Sequence, residues 1–598
     1  MRSVFFLYSF IILCFFSLSL SANEVFKKST AYTISFANAV HHEAEIEARF
    51  SNLKGKEIEL RMSRTSPGRY ALHEFAKNVY NVKVTDGQGK PLQYTRPDPY
   101  SWKVVGHDGT INVSYTLYAN RGDGTYAQID ETHAHLNIPA TFMYAPSLIN
   151  DEIIVTFDTS SHPDWKIATQ LKKQEGNTYY AKDLQYFMDS PTEISNHSIR
   201  SFNVDKQTIQ FVLHHNGTEA ELDQYFDNVK KLVLQQKAVF GKLPKFDFGR
   251  YTFLACYIPN ASGDGMEHRN STILTSTRSL ESEGMRRNIG TVSHEFFHSW
   301  NVERIRPRSL EPFNFQEANM SGALWFAEGF TSYYTTLMMC RAGILTKDEY
   351  IKGLAPTFNT VWNGTGRKFF NPIEMSYQAP FVDAARSVDP VNRPNTFISY
   401  YSYGSALGLA LDLSLREQDL NLDDYMKEVW KAHGKKEKPY TIEDLNTLLN
   451  DYAGEEFGNA FFENYIYKSD MPDMERLFEN MGVSLSQNPE KASFGVPLTN
   501  GVIAQNTIIG TAAYEAGLDN GDIIITVNSK DYPGDQSFQD FLAKGSPHDK
   551  LNITFKRYGQ LRKTVVTLKP DPSYHIAIDT SKNQKAVQKR RGLWLDAK

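Results

Sequence analysis

From Asn23 to about Lys182 apolar and polar residues alternate with period two, as in Ala31-Tyr32-Thr33-Ile34-Ser35-Phe36, Glu57-Ile58-Glu59-Leu60-Arg61-Met62 and Ile111-Asn112-Val113-Ser114-Tyr115. Successive side chains of a strand point to opposite faces, so this alternation predicts half-buried strands. Turn clusters such as Asp86-Gly87-Gln88-Gly89 separate the runs, and together they predict an all-β, sandwich-like N-terminal domain. Past Asp189 the pattern changes. Strands around Ile209–Leu213 and Tyr251–Tyr257 flank an amphipathic helix over Glu219–Val239, and helical periodicity runs on through Thr441 to Tyr465, which predicts an α+β domain. Strand patterning returns near Phe494. The expected organisation is therefore multidomain: a β domain at 23–184, an α+β domain at 185–490, a small third domain at 491–572 and a tail at 573–598 in which Trp594 docks on the body.

Ahead of the first strand, Met1-Arg2-Ser3 precedes an apolar run from Val4 to Leu20 that ends in Ser21-Ala22. A positive start, a short apolar stretch and small residues predict a secretory signal peptide over 1–22, hence an exported protein of the periplasm or cell envelope with no integral membrane span after cleavage. Only Cys256 and Cys340 remain beyond Cys14, too few for a disulfide framework. The net charge of −5 gives no basic field for nucleic acid.

Candidate chemistry concentrates in Thr291-Val292-Ser293-His294-Glu295-Phe296-Phe297-His298-Ser299-Trp300-Asn301. Four residues advance a helix by about 400°, so His294 and His298 share one face and can turn a ring nitrogen toward one ion. Zinc suits such a pair, and Glu295 beside the first histidine is placed to take a proton from a water attacking a carbonyl. Pro307 is expected to end this helix. A catalytic zinc wants a third protein ligand. Glu328, the only acid in Leu324-Trp325-Phe326-Ala327-Glu328-Gly329-Phe330-Thr331-Ser332-Tyr333-Tyr334, supplies it, because a buried carboxylate is costly unless a cation or metal pairs with it. The competing partner for Glu328 is Arg304 or Arg306. Asn301 and Arg304 stand where the metzincin spacing would need glycine and histidine. His133 and His135 are expected to share one strand face without a ligand role.

His294 to Pro307 followed by Trp325 to Tyr334 resembles the glycyl aminopeptidase family, gluzincin zinc metallopeptidases that carry a PDZ domain; Asp189–Ile194, Gly265–Arg269 and Gly592–Leu595 resemble family segments in the same order. The resemblance implies a thermolysin-like catalytic domain over 185–490, a PDZ-like domain over 491–572, one Zn²⁺ per chain and the release of small N-terminal residues, glycine or alanine, from peptides. Gly265-Met266-Glu267 is similar to the G-x-M-E-N element of related aminopeptidases, which implies that Glu267 holds the substrate's amino group. Ile398–Leu407 is similar to their Y-S-K-G-A element, which implies Tyr401 as donor to the oxyanion, with Tyr400 and Tyr403 as alternatives. Gly510–Asn528 looks like the core of a bacterial PDZ domain, in which Gly521-Asp522 turns into a buried strand; such domains capture extended peptides by strand addition, and a purely structural role is the alternative. An endopeptidase, or an inactive peptide-binding protein keeping the fold, are the other readings.

Overall fold

The computed structural model describes residues 30–281, 283–382, 389–582 and 584–598. The expected signal peptide at 1–22 lies outside the described residues. Two compact units result. Among the described residues one comprises 30–63, Glu74–Arg121 and Tyr126–Asn196; the other comprises Arg64–His73, Gly122–Thr125 and His197–Lys598.

The first unit is β-rich. Its seven-stranded sheet has Thr30–Ser35 at the centre, parallel to Ile153–Asp158 on one side and antiparallel to Glu43–Phe50 on the other. Along Glu43–Phe50 every second residue is buried, ending in Ala44, Ile46, Ala48 and Phe50, as the period-two pattern requires. A four-stranded sheet pairs His133–Leu136 with Thr192–Ser195. There His133 Nδ1 and His135 Nδ1 lie 3.3 and 3.2 Å from the two separate carboxylate oxygens of Glu193, all three residues being buried.

The second unit is built on a five-stranded sheet in the order β1-β2-β3-β5-β4, where β1 is Ser198–Val204, β2 Gln207–His215, β3 Arg250–Tyr257, β4 Asp264–His268 and β5 Ser271–Ser276. β4 runs antiparallel to β5 and ends the sheet. Helix α1 (Glu219–Phe240) follows β2 and begins with a capping box of Thr218 and Glu221. Further on come α2 (Glu283–Phe297), α3 (Gly329–Arg341), α4 (Ala355–Trp362) and α5 (Tyr400–Arg416). Gln236 of α1 donates to the Ser293 carbonyl at 2.7 Å, and the Ser293 hydroxyl donates to the Thr335 carbonyl at 2.9 Å, so polar bonds tie α2 to both neighbours across an otherwise apolar core.

Pro307 does not end the helix that carries His294. α2 stops ten residues earlier, and His298 sits in the turn behind it. Tertiary bonds decide the end point. The Asn301 side chain reaches the Phe326 and Ala327 carbonyls at 3.1 and 3.2 Å, and Arg304 bonds the Ser299 carbonyl and the Asn270 side chain, which pulls the chain out of helical register.

The C-terminal part forms its own small core around Phe494, Ile503, Ile524, Phe538, Ile553 and Val566. Its sheet includes Ile523–Val527, Lys550–Arg557 and Gln560–Thr567, with the helix Asp535–Leu542. Buried Asp522 takes two guanidinium bonds from Arg557, at 2.7 and 2.6 Å. The chain then returns to α3 through helix α6 (Lys585–Leu595). Trp594 is fully buried, its indole donates to the Tyr333 hydroxyl at 2.9 Å, and Arg341 grips its carbonyl with bonds of 3.1 and 2.9 Å. Cys256 and Cys340 are both buried and are not joined by a disulfide. Among the described residues no helix is long and apolar enough to cross a membrane.

Candidate active site

His294, at the end of α2, His298, in the turn after it, and Glu328, where α3 begins, converge. The Nε2 atoms of His294 and His298 stand 3.5 and 3.3 Å from one oxygen of Glu328, Oε2. The other nitrogen of each ring is already engaged. His298 Nδ1 lies 2.6 Å from the Asn301 carbonyl, which can only accept. His294 Nδ1 lies 3.1 Å from Thr335 Oγ1, whose own proton goes to the Thr331 carbonyl at 2.8 Å. Both Nδ1 atoms therefore carry the hydrogen. In the neutral rings the two Nε2 lone pairs then face a carboxylate oxygen, an arrangement that repels unless a cation stands between.

The residues fit a zinc ion. A tetrahedral ion with bonds of about 2.0–2.1 Å spaces its ligand atoms roughly 3.3–3.4 Å apart, close to the spacings found here. The electrostatics agree. Burial by itself lowers the His298 imidazole, yet the Glu328 and Glu267 carboxylates push it up to about 10. Against the cost of its own burial, Glu328 is held well below the usual carboxylate range by His298 and His294. The centre draws positive charge, and a divalent ion supplies it while leaving the imidazoles neutral. Burial lowers His294, which keeps that ring in the ligating form. Arg304 and Arg306 are engaged elsewhere, Arg306 with Glu311, so neither is the partner of Glu328.

Glu328 Oε1 accepts a 2.5 Å hydrogen bond from the buried Tyr70 hydroxyl. Sequence reasoning missed Tyr70. It precedes Glu328 by 258 residues and lies within a stretch patterned as β domain, although residues 64–73 belong to the second unit.

Glu295 lies beside this group, with a carboxylate oxygen within 4.8 Å of a ring nitrogen of His298. It is buried, and its Oε2 has no hydrogen-bond partner among the described residues. Burial pushes its carboxyl well above the usual range; His298 opposes this, while Glu267 and Glu328 add to it. β4 passes close by because residue 265 is glycine: a Cβ there would lie 2.2 Å from Glu295 Oε1. Glu267, on the same edge strand, offers an oxygen within 4.8 Å of ligand atoms of Glu295 and His298. Burial raises its pKa also. Met266 is buried beneath the loop of Gly68, whose φ of +80 and lack of a Cβ let the backbone approach the Met266 sulfur and the Glu267 carboxylate. Arg69 pairs with Asp264, and the Gly124 amide donates to Asp264 at 3.0 Å, so both excursions of the N-terminal sequence clamp the start of β4.

Of the three candidate tyrosines, Tyr401 has its ring centroid 5.9 Å from that of His294 and is partly exposed. Tyr400 is buried against Tyr70, and Tyr403 is fully buried in the core. Away from this centre, a cavity of about 920 Å³ lies beside Ala492–Pro497, Gln539–Ala543 and Asn363-Gly364. The Asn395 side chain bonds the Thr507 carbonyl at 2.9 Å and the Ile509 amide at 2.7 Å there.

Comparison with known proteins follows this division. The model of the peptidase M61 N-terminal domain matches residues 31–196, that of the M61 glycyl aminopeptidase residues 287–407, and that of a PDZ domain residues 480–568. No curated protein matches. The crystal structure of an aminopeptidase N family protein from Idiomarina loihiensis is 24% identical, with a TM-score of 0.84 over 95% of this chain and 100% of that one; at this identity it shows the fold. A mutant M1 zinc metallopeptidase from Deinococcus radiodurans, bound to a Tyr-Ser-Ala substrate, is 13% identical over 74% of this chain and 94% of that one, with a TM-score of 0.44. An aminopeptidase A from Legionella pneumophila, in complex with aspartic acid, is 13% identical over 77% and 51%, also at 0.44.

Proposed function

Because the chain belongs to the M61 glycyl aminopeptidase family, with its N-terminal domain, peptidase and PDZ domain in order, we propose that it is a zinc aminopeptidase that releases glycine or alanine from the N-terminus of peptides. His294, His298 and Glu328 hold one zinc ion per chain. Zinc bound there supplies Lewis acidity toward the scissile carbonyl and the attacking water. The chain's own residues do the rest. Glu295, beside the first ligand and raised in pKa, takes the proton from the attacking water and passes it to the departing amine, a task that favours a carboxyl titrating nearer neutrality. Glu267 pairs with the substrate's α-ammonium, whose unperturbed pKa of about 7.7–8.0 keeps it largely charged near neutral pH. Tyr401, beside His294, donates to the developing oxyanion.

The observation that carries the exopeptidase reading is Glu267, a buried carboxylate on the edge strand beside the general base. The retention of His294, Glu295, His298 and Glu328 favours an enzyme over an inactive peptide-binding protein. The PDZ domain binds an extended peptide in the cavity beside Ala492–Pro497, and a signal at residues 1–22 directs the enzyme to the periplasm or envelope. The test compares one glycine-initiated peptide with a free and with an acetylated N-terminus, with and without chelator. Cleavage of the free form alone, lost on chelation and made indiscriminate by Glu267→Ala, supports the reading. Comparable cleavage of both forms at an internal bond replaces it with an endopeptidase.

A further inference from the structure

The roles assigned above leave unused a cleft of which Tyr401 forms one wall. Helices α3 and α5 touch backbone to backbone at one point: a Cβ on Gly404 would lie 1.9 Å from the Trp325 carbonyl oxygen, and one on Gly329 would lie 2.3 Å from Gly404 Cα. One turn beyond that contact the helices and α4 enclose a cavity of about 260 Å³. Five aliphatic hydroxyls line it, from Ser332 and Thr336 on α3, Thr357 on α4, and Ser402 and Ser405 on α5. Its apolar wall is Leu354, Phe358 and Leu409, and no charged residue lines it. Ser332 follows the metal ligand Glu328 by one helical turn, and its amide bonds the Glu328 carbonyl at 2.8 Å. Tyr401 is a wall of the cavity and at the same time the neighbour of His294.

We propose that this cleft receives the side chain of the residue just after the scissile bond and selects uncharged side chains, aliphatic or hydroxylic. The proposal rests on the aminopeptidase reading and deepens it. Glu267 lies with Glu295 and His298, whereas Tyr401 lies against His294, so the amine anchor and the cleft adjoin different metal ligands. A peptide held by its amine at Glu267, with its first carbonyl at the ligands, runs on toward Tyr401, and each extended residue advances it by about 3.3–3.6 Å. The hydroxyls satisfy a neutral polar group, the apolar wall accepts a branched aliphatic one, and a charged group would be desolvated without a counter-ion.

The experiment measures kcat/KM of the zinc-loaded, full-length protein on Gly-Gly, Gly-Ser, Gly-Leu, Gly-Asp and Gly-Lys, with Ser405→Leu and Thr357→Leu as two cavity-filling variants on different helices. The wild type is expected to prefer Gly-Ser and Gly-Leu over Gly-Asp and Gly-Lys by at least about tenfold, and each variant to lose about tenfold on Gly-Leu while staying within about twofold on Gly-Gly. Equal losses on Gly-Gly and Gly-Leu in both variants, or a changed preference between Ala-Gly and Gly-Gly, would overturn it; the latter would mean that the cleft holds the first side chain. If only internal bonds of longer peptides are cut, the aminopeptidase reading fails by itself. The same two variants are then read on the residue following the cut bond, where an unchanged preference overturns the cleft assignment.

Discussion

Two buried groups in this protein contain the same residue types, two histidines and a glutamate, and differ in how the rings are tethered. In the β-rich unit His133 and His135 turn Nδ1 to separate oxygens of Glu193, so each Nδ1 has its own carboxylate oxygen and the carboxylate is shared by two hydrogen bonds. Against the cost of burial those bonds hold Glu193 well below the usual carboxylate range. In the peptidase unit the Nδ1 hydrogens are spent on Asn301 and Thr335, and both Nε2 atoms face one oxygen of Glu328. The first arrangement sets an N–H donor against each carboxylate oxygen; the second sets two lone pairs against one oxygen, a repulsion that a cation would relieve. Composition does not separate a clasp from a metal centre. The bonds made by the distal ring nitrogens do.

Substitutions can break that contrast in order of size. Glu295→Gln is expected to lower kcat by about 10²–10⁴-fold with zinc content unchanged, since it removes the base and leaves all three ligands; activity above roughly a tenth of wild type, with stoichiometric metal measured, would remove Glu295 from that role. Tyr401→Phe is expected to cost about 10²–10³ in kcat with little change in KM, and the assignment passes to another tyrosine if Tyr403→Phe is the variant that loses turnover. Tyr70→Phe strips the hydrogen bond from Glu328 Oε1 and should weaken zinc binding by about 10–100-fold, read by competition with a chromogenic chelator; unchanged affinity would make Tyr70 a packing residue. His135→Ala is the control on the other cluster. It leaves Glu193 short of one partner and should cost about 1–3 kcal/mol of stability while zinc content and kcat stay at wild-type levels, whereas loss of zinc would mean that the two clusters are not different in kind.

What was readable in the sequence follows the range of the interactions. The histidine pair was legible because residues four apart at the end of a helix and in the turn after it meet by local geometry alone. Glu328 was legible because one acid in an apolar run demands a partner. The β-rich unit was legible from the alternation that buries Ala44, Ile46, Ala48 and Phe50. The end of α2 was not, because Pro307 is only a local signal, while the side chains of Asn301 and Arg304 bind carbonyls that the fold brings from elsewhere. Tyr70 was hidden for the same reason, and so was the Glu193 clasp, whose carboxylate lies 58 residues from His135. The three candidate tyrosines of α5 looked alike until packing buried Tyr400 and Tyr403 and left Tyr401 beside His294.

The docking of Trp594 and Leu595 on α3 also sets a clock. The helix that begins at Glu328 receives its closing partners from residues made 255 positions after Cys340. At synthesis rates of about 5–20 residues per second, that segment emerges roughly 10–50 s after the helix it seals. Throughout that interval the ligands exist as polypeptide while the helix behind them lacks its wedge, so the helix is sealed only after the whole PDZ domain has been made.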